Sequence, residues 1–107
     1  MSVNPWRGEV EVVIDGHPHT LRLTLGALCW LEEELEAGSL VDLVERLEGG
    51  ALRARDIFVV LRAGLLGGGV EMPLDTLVRA EFDGGLPRAA EAAAHLIARA
   101  FHWSAPT

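Results

Sequence analysis

Lysine is absent: all nine basic residues among the 107 are arginines. That excludes chemistry that depends on a lysine amine, such as a P-loop lysine, a Schiff base or a kinase-type lysine. Positive charge is scarce altogether, with 16 acidic residues against 9 basic ones and a formal net charge of −7. A chain of that sign is a poor ligand for nucleic acid backbones, which need clustered cations. Cys29 is the lone cysteine, so no internal disulfide forms, and the residue reads as a small buried hydrophobe. The apolar run Ile57, Phe58, Val59, Val60, Leu61 stops at Arg62, far short of the roughly 20 residues of a membrane span. Asn4, Pro5, Trp6 and Arg7 interrupt any apolar run near the start, so no signal peptide is expected there and the default location is cytoplasmic.

Half of the chain is apolar, which is enough to build a core. The organising stretch is residues 56–69, DIFVVLRAGLLGGG. Ile57, Val60, Leu61, Gly64 and Leu65 recur at helical spacing, and Phe58, Val59, Ala63 and Leu66 cover most of the remaining surface. A helix apolar nearly all round belongs in the middle of a domain. Asp56 suits its first turn, and the three glycines stop it through the left-handed C-cap conformation.

Residues 9–23 alternate as a strand, with Val10, Val12 and Ile14 on one face. Asp15-Gly16 is a type I′ turn signal that pairs Ile14 with His17, Val12 with His19 and Val10 with Leu21. Pro18 requires an edge strand. Thr24 caps a helix over 25–36 with Ala27, Leu28, Leu31 and Leu35 inside, Glu32, Glu33, Glu34 and Glu36 in water, and Gly38 as its stop. Ser39 caps the next helix, with Leu40, Leu43, Val44 and Leu47 as its stripe. Pro73 opens a short helix through about Phe82, with Leu74, Leu77 and Val78 inside. Pro87 opens the last helix, to about His102, whose inner face is mostly alanine and therefore allows close packing. The expected fold is α+β: an N-terminal β-hairpin packed on a small bundle of four to five helices. It forms one domain, with an arm at 1–8, the hairpin at 9–23 and the helical part at 24–103.

Site chemistry is sparse. His17 and His19 share a strand face, but a stable metal site needs more ligands. Cys29, His95 and His102 could join only if the fold converged them. Carboxylate pairs such as Glu32/Glu36, Glu45/Glu48 and Glu81/Asp83 fall on solvated faces or turns. Gly67-Gly68-Gly69 lacks the Lys and Ser/Thr of a phosphate loop. No catalytic, metal or cofactor residues are assigned, and the expected activity is binding rather than catalysis.

Two blocks, NPWRGEVEVVIDGHPHTLRLTLGAL at residues 4–28 and ARDIFVVLRAGLLGGG at 54–69, resemble a small phage-type protein of gene transfer agent clusters. That family is described as a tail tube or tail assembly chaperone protein. From about residue 71 onward the resemblance lies in pattern more than in residues. It implies a non-enzymatic role. Tail assembly chaperones coat the tape measure protein, keep it soluble, recruit tail tube protein and are absent from the finished particle. A structural tail component retained in the particle is the alternative. The implied partners are tape measure protein, tail tube protein and, on the chain's own residues, a second copy. The contact residues expected from position are the large apolar groups off the clean stripes: Trp6, Trp30, Val41, Phe58, Leu66 and Trp103. Trp30 falls on the glutamate side of its helix, so an exposed patch of several of these would mark the partner surface.

Overall fold

A computed structural model describes residues 8–35, 40–50 and 52–102, with side chains through residue 100. An antiparallel hairpin is followed by five helices, an α+β arrangement. The elements are β1 (Val10–Ile14), β2 (His17–Leu21), α1 (Leu25–Glu34), α2 (Leu40–Glu48), α3 (Ala54–Gly67), α4 (Leu74–Arg79) and α5 (Gly85–His102).

The hairpin has the expected register, with Ile14 opposite His17, Val12 opposite His19 and Val10 opposite Leu21. Asp15 at φ 51° and Gly16 at φ 79° are the two positive-φ residues a type I′ turn demands. Val10, Val12, Ile14 and Leu21 are all buried. Pro18 of β2 pairs with Val13 of β1, and among the described residues no further strand joins the far edge of β2, so its missing N–H leaves no ladder bond unmade there.

The sheet rests on α3, which also touches α1, α4 and α5. Ile57, Val60, Leu61, Gly64 and Leu65 are buried as the periodicity predicts, and so are Val59 and Ala63. Gly64 admits both neighbours, because a Cβ there would lie 2.8 Å from Leu96 Cδ1 and 3.1 Å from Leu21 Cβ. On α5 the buried face is Ala89, Ala92, Ala93, Leu96 and Ile97, the small residues that let the two helices approach. Thr24 caps α1, its Oγ1 accepting from the Ala27 N–H at 3.1 Å.

Several expectations are corrected. The helix opened by Pro73 ends at Arg79 rather than near Phe82. Residues 81–83 instead run along the outer edge of β1, where the Asp15 N–H donates to Glu81 O (2.8 Å) and the Asp83 N–H to Val13 O (3.0 Å). Two main-chain bonds to a strand outcompete one more helical turn. Val78, expected inside, is exposed. Cys29, expected buried, is also exposed. The glycine triplet does more than stop α3. Only Gly69 is left-handed, at φ 92°, whereas Gly67 and Gly68 lie where a Cβ would meet Arg22 O at 1.9 Å and Thr20 O at 2.2 Å. The proposed stop Gly38 and cap Ser39 fall outside the described residues.

Asp56 is more than a first-turn carboxylate. It is buried and accepts from the Arg53 N–H at 3.0 Å and from Arg46 Nη2 at 3.3 Å. It thereby ties α2 to the start of α3. Burial alone would push its carboxyl up; the Arg53 N–H and the Arg46 and Arg53 charges outweigh that and hold it below the ordinary aspartate value. A carboxyl depressed in the folded state stabilises the fold above its unfolded pKa, and that contribution fades as pH falls through the folded value. Asp56→Asn is therefore expected to cost about 1–3 kcal/mol near neutrality. It should also flatten the loss of stability below about pH 4. Urea melts across pH would check this, and a variant whose acid limb matched wild type would exclude Asp56 as its source.

Candidate partner-binding cleft

Residues 80–86 build one wall of a surface cleft. Their main chain is fixed to β1 by the bonds just described, and the Glu81 N–H also donates to Asp15 Oδ1 at 2.9 Å. Gly84 and Gly85, at φ 88° and 69°, then reverse the chain into α5. Between this segment, β1, α3 and the start of α5 lies a cleft of about 480 Å³, lined by apolar groups including Val13, Phe58, Phe82, Leu86 and Ala89, with Glu81 and Asp83 also on its wall. That volume falls within the roughly 300–1,000 Å³ of typical binding clefts. Phe58 and Phe82 form its aromatic part, with centroids 6.1 Å apart and planes at 57°, a tilted pairing that rings favour. Leu86 is 51% exposed, an uncovered apolar side chain beside an apolar wall.

The sequence candidates do not converge on one patch. Phe58 is half-buried and belongs to the cleft wall. Trp30 is half-buried against the core, and the Arg62 guanidinium carbon sits 4.8 Å from its ring centroid. Arg62 Nε also donates to Met72 O at 3.0 Å, so Trp30 is part of a packed cation–π contact rather than an open face of α1. Val41 is exposed on α2, and Leu66 is exposed near the far end of α3 from Phe58, about 12 Å along the axis at 1.5 Å per residue. Trp6 and Trp103 lie outside the described residues. Leu86, the residue that sequence reasoning missed, carries no local signal. It stands in register with Ala89, Ala93 and Leu96, as an inner-face position would, and is exposed because it falls in the first turn, beyond the reach of the core.

Among the described residues, no three His, Cys, Asp or Glu side chains are grouped to hold a metal ion, and no helix is long and apolar enough to cross a membrane. The geometry defines a small α+β protein with a cleft lined by apolar and acidic side chains. Residues 7–103 match the family model described as "Phage tail tube protein, GTA-gp10", and the chain belongs to that gene transfer agent and phage tail family. Comparison with curated proteins and with solved structures finds no match.

Proposed function

We propose that this protein is a non-enzymatic tail assembly chaperone that holds an apolar helical segment of the tape measure protein in the cleft and brings tail tube subunits to it. The observation that carries this reading is the cleft itself. It is a preformed cleft of mixed polarity with an aromatic pair on its wall and the half-exposed Leu86 on its lining, a place for apolar anchors on one face of an amphipathic helix. The acidic surface supports it further, because the net charge of −7 keeps a loaded complex soluble. Edge covering supports transient binding over permanent stacking through strands. Residues 81–83 occupy the outer edge of β1 and Pro18 interrupts that of β2, so neither edge offers an uninterrupted ladder to a neighbouring subunit.

The second reading, a structural component retained in the tail, is favoured by the family description. Mass spectrometry of purified particles separates the two: stoichiometric presence means a structural component, absence means a chaperone. The direct test is co-expression with the cluster's tape measure protein. Wild type is expected to co-purify with it, and Leu86→Glu should abolish capture while leaving the melting temperature within a few degrees, since surface changes typically stay within about 0.5 kcal/mol. Undiminished capture by Leu86→Glu would exclude the cleft as the binding site.

A further inference from the structure

The apolar wall of the cleft is interrupted by acid on either side of its aromatic residue. Glu81 and Asp83 flank Phe82, are exposed, and both line the cleft. Neither carboxylate takes part in an ion pair or hydrogen bond among the described residues. Asp15 is adjacent and exposed, its carboxylate accepting, among the described residues, from the Glu81 N–H. The nearby cation is Arg88, whose Cβ would lie 2.7 Å from a Cβ on Gly84. Its guanidinium is already committed, to Glu91 Oε1 at 2.8 Å and to Glu11 O at 2.6 Å. The wall thus carries negative charge that no ion pair among the described residues neutralises.

We infer, resting on the binding role proposed above, that the segment accepted by this cleft is an amphipathic helix whose apolar anchors are flanked by Lys or Arg. Apolar groups supply the contact, and the unpaired carboxylates select for cations beside it and repel acidic sequences. The same charge argues against other occupants. A second copy of this chain would bring another net charge of −7 to an acidic site, and nucleic acid or an anionic bilayer would meet the same repulsion.

The probe is a set of overlapping synthetic peptides spanning the tape measure protein, titrated by fluorescence anisotropy at low and high salt. Bound peptides are expected to carry Lys or Arg within one helical turn of their apolar anchors, and to weaken as salt rises. Replacing both acids, Glu81→Arg with Asp83→Arg, should weaken them by about tenfold. The neutral pair Glu81→Gln with Asp83→Asn should fall between. Folding is protected in these variants because the main chain at 81 and 83, not the side chains, joins β1. Binding confined to neutral or acidic peptides, or affinities unchanged in the charge-reversed variant, would overturn the inference, as would no peptide bound at all. Self-association lost in Leu86→Glu would assign the cleft to a second copy and overturn it too. The chaperone reading has its own readout: full-length tape measure protein that co-purifies in a Leu86-dependent manner leaves that reading standing even when the charge selection fails.

Discussion

Gly67→Ala is expected to be the most damaging single methyl group that can be added to this protein. The new Cβ would sit 1.9 Å from Arg22 O, 3.0 Å from the Arg22 carbonyl carbon and 3.3 Å from the Thr24 N. All three are backbone atoms, so no side chain can rotate away. Relief requires the segment that joins β2 to α1 to move off α3 by more than an ångström. That movement would break the bond from the Arg22 N–H to Gly64 O at 3.0 Å, which anchors the hairpin to the central helix. The expected loss is about 3 kcal/mol or more, at the upper end of overpacking effects. In a domain of this size that lowers the melting temperature by about 12 °C or more. Gly26→Ala is the control. It lies in α1, where the nearest atom to a new Cβ is Thr24 Oγ1 at 4.0 Å, and it should be neutral or slightly stabilising because alanine is the better helix former. Thermal melts of the pair check both expectations; equal melting temperatures would show that the close approach at Gly67 is absent in solution.

Leu61→Ala is expected to cost about 2–5 kcal/mol, the range for deleting a buried leucine side chain. Leu61 has no exposed surface and stands on α3 among Ile57, Val60 and Leu65, all buried. The elements around it are held by other contacts as well: the ties from Asp56 to Arg46 and Arg53 at the start of α3 and the hairpin bond at Gly64. Such a site collapses incompletely around a vacancy, and incomplete collapse is what makes the cavity costly. Against a total stability of about 5–15 kcal/mol, this substitution removes a large share. Urea denaturation gives the number directly. A midpoint equal to wild type would mean that α3 is not the centre of the core.

Much of the architecture is local in origin, and its residues announce it. The alternation of Val10, Val12 and Ile14, the positive-φ preference of Asp15-Gly16, the cap at Thr24 and the 3.6-residue repeat in α3 act between residues a few positions apart. Neighbouring side chains alone therefore bias the hairpin, its register and the central helix. The partner-binding candidates fared differently because exposure is not local. Trp30 stands off the stripe of α1, yet Arg62 and the core cover half of it. Leu86 keeps the spacing of the α5 inner face, yet it is 51% exposed, because the first turn of α5 projects past the core.

By itself, then, the sequence determined the α+β pattern, the hairpin register, the core stripe of α3 and the acidic surface, because each follows from the type and short-range spacing of residues. Only the tertiary structure decided that residues 81–83 line β1 instead of extending α4, that Asp56 is buried between two arginines, that Gly67 and Gly68 are needed for backbone contact, and that a cleft opens beside Phe82. Ile14 meets Phe82 and Gly67 meets Arg22 across some 45 to 70 residues of chain. The energy of such contacts depends on where distant main chain comes to rest, which no window of neighbouring residues encodes.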